Sequence, residues 1–127
     1  MRLLDTDVMI DILRGYLPAV NWLAGLLEVP GLPGFVVMEL ISGCPNKAEV
    51  KKLQKSLNLF QIYWPTENDC NRALDVFVKY KLNNGLGIMD ALIGECAVGL
   101  GATLSTFNLK HFKVIPSLKT EQPYTKS

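Results

Sequence analysis

Apolar residues fall into short dense runs separated by polar stretches and by glycine–proline breaks, and the spacing of the runs predicts strands alternating with helices. Residues 2–4 (Arg-Leu-Leu) read as a short buried strand ending at Asp5. Thr6 or Asp7 can cap a helix over Val8 to Arg14, with Gly15 as its stop. Pro18 opens a second helix through about Leu27. Two prolines and two glycines in 29–34 allow only a brief extended piece, and Phe35 to Ser42 reads as a helical turn or two. Val50, Leu53 and Leu57 mark one face of a helix over 46–57. Residues 59–63 alternate and are aromatic, as a strand requires. Apolar positions 70, 73, 74, 77 and 78 define an amphipathic helix over 67–82, and 83–87 is a loop. Residues 88–100 are apolar nearly all round, so that helix is buried. Strands are expected at 103–106 and at Val114–Ile115, with a frayed polar tail over 117–127. The expected organisation is one domain over 1–116 plus that tail. Its class is α/β, with a mainly parallel sheet and helices on both faces. Such sheets bind ligands beyond the carboxyl ends of their strands.

A length of 127 residues suits a single domain. With 49% hydrophobic and 20% charged residues, intrinsic disorder is excluded. No apolar run approaches the ~18 residues of a membrane span, and Asp5, Asp7 and Asp11 interrupt any signal-peptide reading of the first residues. A net charge of +1 excludes a polybasic binder. Three cysteines without CxxC spacing fit reduced thiols in a cytoplasm.

Burying an unpaired carboxylate is costly, so acids inside apolar runs are informative. Six of the twelve acids keep such company: Asp5, Asp7 and Asp11 in LLDTDVMIDIL, Glu39 in FVVMELI, and Asp90 and Glu95 in GIMDALIGEC. Asp5 ends a buried strand, and Asp90 sits in the first turn of a buried helix, where the dipole favours an anion. Glu39 lies on a short helix among apolar neighbours. If these three converge they repel one another, and a hard divalent cation is the usual remedy. Mg²⁺ takes oxygen ligands and keeps several waters, so few carboxylates suffice. Asp7 reads more readily as a helix-start cap than as a ligand, and Asp11 as a surface partner of Arg14. Glu95 lies roughly 140° round the helix from Asp90 and faces elsewhere. The remaining acids occupy polar segments.

Absent motifs narrow the chemistry further. The one histidine, His111, lies in a polar stretch and reads as inert, so a Ser-His-Asp or Cys-His triad has no support. No GxGxxG or GxxxxGK[ST] motif is present. What remains is metal-assisted attack of water on phosphorus, or no catalysis at all. Lys47, Lys51 and Lys55, joined by Lys52, recur along one helix and read either as a solvated face or as a phosphate-contacting strip.

The chain resembles a PIN-domain ribonuclease of the VapC toxin type, part of a type II toxin–antitoxin system. LLDTDVMIDILRG (3–15) is similar to the family's first block, whose leading Asp is Asp5. VVMELISG (36–43) is similar to the second block, with Glu39, and residues 85–116 are similar to the third and fourth, with Asp90 and the turn Thr106-Phe107-Asn108. Many relatives carry Asp where Asn108 stands, and an arginine often precedes that position where this chain has Phe107. The resemblance implies a five-stranded, mostly parallel PIN fold and Mg²⁺- or Mn²⁺-dependent cleavage of RNA. It implies that Asp5 and Asp90 hold the metal and that Glu39 completes the acidic cluster and orients the attacking water. Asn108 would ligate or hold a metal-bound water, and Thr6 and Thr106 would hydrogen-bond the carboxylates. It further implies a homodimer and silencing by a cognate antitoxin whose tail enters the acidic groove. Two alternatives remain. One is a catalytically weak PIN module that binds RNA or a partner, kept open by Asn108. The other is a haloacid-dehalogenase-like phosphatase, since LLDTDV also fits DxDx[TV], but its lysine and late acidic pair are missing.

Overall fold

A computed structural model describes residues 1–126. Strands β1 (Arg2–Leu4), β4 (Thr103–Ser105) and β5 (Lys119–Glu121) form one parallel ladder, with β4 between β1 and β5. Strands β2 (Leu32–Pro33) and β3 (Ile62–Tyr63) form a second parallel pair. Gly31 joins the two: its amide donates to the Arg2 carbonyl at 2.9 Å, and its carbonyl accepts from the Leu4 amide at 3.1 Å. The result is a five-stranded parallel arrangement in the order β5-β4-β1-β2-β3, flanked by helices. Because every strand runs the same way, the ends of β1 and β4 share one rim.

The helices are α1 (Thr6–Leu13), α2 (Leu17–Ala24), α3 (Gly34–Ser42), α4 (Lys47–Ser56), α5 (Glu67–Asn84), α6 (Ile88–Leu100) and α7 (Leu109–Phe112). Helix α1 starts earlier than the pattern suggested, because Asp5 rather than Thr6 or Asp7 caps it, its side chain accepting from the Thr6 amide. Helix α2 stops at Ala24, short of the expected Leu27, which is fully exposed. Asn46 caps α4 through the Glu49 amide. A reciprocal Thr66–Asp69 capping box starts α5, and Gly85, at φ 79°, ends it in the left-handed conformation. The expected strand at 59–63 is trimmed by a 3₁₀ turn over 57–59.

Helix α6 is the buried helix the sequence predicts, with Ala91, Ile93, Cys96 and Ala97 all nearly inaccessible. It packs along α5 and reaches the sheet core of Leu3, Leu4, Leu32 and Leu104. Gly94 makes the close approach on its other side possible, since a Cβ there would run into Ile115 and press against Phe112.

The C-terminal segment departs most from expectation. Residues 114–115 lie in a turn, and the last strand forms instead at 119–121, inside the stretch expected to fray. Lys-Thr-Glu carries no apolar alternation, so no pattern announces it. Arg2 Nε (2.6 Å) and Ser105 Oγ (2.8 Å) both donate to Glu121 Oε1, and the Thr106 amide donates to the Glu121 carbonyl. Beyond it, Tyr124 packs its ring on Phe107, with 4.9 Å between centroids.

Candidate active site

Asp5 and Thr106 leave adjacent parallel strands at the same rim, which explains why residues 101 positions apart meet. The Thr106 hydroxyl donates to Asp5 Oδ2 at 2.7 Å, and the Thr6 amide donates to Asp5 Oδ1 at 2.8 Å. Thr6 also donates through its hydroxyl to Glu39 Oε1 at 2.7 Å, so one residue joins two of the predicted acids. The Asn108 amide donates to Thr106 Oγ1 at 3.0 Å, placing that residue one link from Asp5 through its backbone; its side chain does not cap α7. Asp90 lies in the first turn of α6, where the Gly87 amide donates to its Oδ2 at 3.1 Å.

Asp5 is buried. Desolvation, with the negative charges of Asp7 and then Asp90 adding to it, pushes its pKa up to about 7 against the two hydrogen bonds. Asp90 is therefore close enough to act on Asp5 electrostatically. Among the described residues, no lysine or arginine forms an ion pair with Asp5, Glu39 or Asp90; the single cation-capable partner is His111, whose Nδ1 stands 3.8 Å from Asp90 Oδ2. Also among the described residues, no three His, Cys, Asp or Glu side chains gather tightly enough to cage a metal by themselves. Glu39 is tied to the site through Thr6 rather than drawn into a three-acid cluster. This donor set still fits Mg²⁺ or Mn²⁺, which take oxygen ligands and keep several waters: one buried carboxylate without a lysine or arginine partner among the described residues, and a second nearby.

Two residues read as bland in the sequence help build the site. The Asp7 carboxylate accepts from the Val8 amide at 2.7 Å and the Phe107 amide at 3.0 Å, clamping the loop that carries Thr106 and Asn108. Burial pushes its pKa up. That engagement also removes Asp7 from the acid role a dehalogenase-like reading needs. Its sequence signal was its place in the apolar run LLDTDVMIDIL, two residues after Asp5. His111 was similarly marked only by falling three residues after Asn108. Asp11 does pair with Arg14, at 3.8 Å, but it is buried rather than superficial: the Tyr124 hydroxyl donates to it at 2.7 Å, and Lys126 lies 3.0 Å away. Burial alone would raise its pKa, but Tyr124, Lys126 and Arg14 together hold it below the ordinary carboxylate value. Glu95 faces away from the site, buried against Arg72 on α5 at 3.4 Å.

A groove of about 420 Å³ opens beside Thr6 and Glu39, floored by Ile10, Leu13, Leu40 and Leu53. Of the four α4 lysines, Lys52 lines it.

A parallel sheet with acids at the ends of its central strand and on the helices beside it is the PIN arrangement. The PIN domain family model matches residues 2–117, and the chain belongs to that family. It is 34% identical over 122 residues to Ribonuclease VapC10 of Mycobacterium tuberculosis, covering 94% of this chain and 91% of that one. It is 29% identical over 128 residues to Ribonuclease VapC19 of the same organism, covering 98% and 100%. A toxin–antitoxin complex from Klebsiella pneumoniae contains a similar chain, with TM-score 0.81 and 25% identity, covering 99% of this chain and all of that one.

Proposed function

We propose that the protein is a metal-dependent endoribonuclease, the toxin of a toxin–antitoxin pair, hydrolysing RNA phosphodiester bonds with Mg²⁺ or Mn²⁺. The observation that carries this reading is Asp5, buried at the end of β1 between two threonine donors, with Asp90 nearby and, among the described residues, no lysine or arginine paired with it. The named ribonuclease relatives support the same class of chemistry.

Asp5 and Asp90 would hold the metal. When bound, the ion supplies charge that offsets the transition state at phosphorus and lowers the pKa of water. Thr6 and Thr106 hold the Asp5 oxygens in direction, and the Asp7 clamp fixes the loop behind Thr106. Glu39 has Oε1 engaged by Thr6, leaving Oε2 to accept from and orient the attacking water. Asn108 contributes an amide oxygen or holds a water, with one negative charge fewer than an aspartate. Lys52, on the groove wall, offers a phosphate contact next to this negative site.

The complex containing a similar chain supports an antitoxin partner, and the groove opening at Thr6 and Glu39 suits an inserted segment. A homodimer accords with the exposed stripe Leu74, Val78 and Leu82 along α5. A cytoplasmic setting accords with three free thiols, and no helix among the described residues is long and apolar enough to cross a membrane.

The test is purified protein against total RNA. Cleavage is expected with Mg²⁺ or Mn²⁺ and is abolished by EDTA and by Asp5→Asn. Intact RNA with either metal, from a folded protein that still binds RNA, overturns the reading in favour of the non-catalytic module that Asn108 keeps open.

A further inference from the structure

We propose that His111 is a positioning residue for Asp90: its Nδ1–H aims at Asp90 Oδ2 and sets the direction in which that carboxylate faces the metal. The inference rests on the nuclease reading above. It starts from a feature the sequence pattern hides, that the lone histidine stands 3.8 Å from a site acid.

Several contacts hold the segment that carries the ring there. Helix α7 is anchored by Phe112, which is fully buried and packs toward Gly94 of α6. At the end of α5, Asn84 Nδ2 donates to the Lys110 carbonyl at 3.2 Å. Gly85 leaves space beside His111 Nε2, which lies 3.7 Å from where a Cβ would sit. Asp90 itself is held from one side only, by the Gly87 amide on Oδ2. At 3.8 Å the His111 contact is longer than a hydrogen bond. It would close as the carboxylate takes up its ligating direction, as site contacts often tighten only in the loaded state. No charge on the ring is needed, only the tautomer with the proton on Nδ1. Groups that orient a ligating side chain in this way typically contribute about tenfold or more to metal affinity.

The test uses the full chain. Because it holds one histidine, ¹⁵N labelling gives a single imidazole pair whose tautomer is read directly by NMR with the ring neutral and no metal added. The proton is expected on Nδ1, moving to Nε2 in Asp90→Ala. Calorimetric titration with Mn²⁺ is expected to show about tenfold weaker binding for His111→Ala. His111→Asn places an amide donor where Nδ1 sits and should restore most of the loss, whereas His111→Gln, which imitates Nε2, should not. Cleavage should fall in kcat rather than KM. A proton on Nε2 in the wild-type chain, or Mn²⁺ affinity unchanged in folded His111→Ala, overturns the proposal alone. Wild-type protein that binds no Mn²⁺ overturns it together with the nuclease reading.

Discussion

Asp5→Asn should make the metal-free protein more stable while destroying its activity, because the charge that binds the cation is a burden without it. Burial and the Asp7 and Asp90 charges raise the Asp5 pKa from 3.8 to about 7. The native state therefore binds more protons than the unfolded chain between those values, and stability falls as pH rises through that window. Above it the cost of keeping the carboxylate ionised is about 4 kcal/mol, at roughly 1.4 kcal/mol per pKa unit. Asparagine removes that cost and can still accept from the Thr6 amide. Its NH₂ group would face Thr106 Oγ1, whose hydroxyl proton then loses the Oδ2 acceptor it has in the wild type, so one hydrogen bond worth about 1 kcal/mol is lost. The net gain at pH 8 is about 3 kcal/mol, or roughly 10 °C in Tm for a chain of this length. Thermal melts in EDTA at pH 5 and pH 8 check it. The variant should melt well above wild type at pH 8 and close to it at pH 5, and Mg²⁺ should raise the wild-type Tm without raising the variant's. A variant that melts at or below wild type at pH 8, or a gap independent of pH, would refute the reasoning.

Glu39→Gln keeps an oxygen for the Thr6 hydroxyl but loses its charge, so RNA cleavage should fall about 100-fold or more with circular dichroism unchanged. Tyr124→Phe leaves the buried Asp11 short of a donor and should cost about 1–2 kcal/mol in urea denaturation at pH 7. Because Asp11 is held below its ordinary pKa, its contribution is present above about pH 4 and lost as pH falls, so the gap to wild type should narrow in acid. Gly94→Ala drives a methyl into the buried Ile115 side chain; overpacking of about 1–3 kcal/mol, offset by roughly 1 kcal/mol of helix propensity, should leave a net cost of at most about 2 kcal/mol, read as a lower Tm. Asn108→Asp adds charge beside the Thr106 link and should tighten Mn²⁺ binding in calorimetry; unchanged affinity places Asn108 outside the metal site.

Periodicity along the chain was enough to place β1, the helices over 34–42, 47–56 and 67–84, and the buried helix α6, since each owes its form to one apolar face or to apolar residues all round. Burial cost alone drew attention to Asp5, Glu39 and Asp90, because a carboxylate inside an apolar run needs a reason. The resemblance then joined Asn108 and the two threonines to them. Long-range partners decided the rest. Strand β5 is polar in all three residues and exists because β4 offers it an edge, with Arg2 and Ser105 engaging Glu121. Asp7 could be a cap or a ligand by local rules; the nearness of the Phe107 amide, 100 residues on, made it a clamp. Asp11 and Asp69 looked like surface acids until Tyr124 and Arg72 proved to cover them. His111 looked inert in its polar stretch, and only the packing of α7 on α6 set it beside Asp90. Local pattern determines which residues seek burial. Which polar groups meet depends on how parallel strands align their ends, and that alignment exists only in the folded chain.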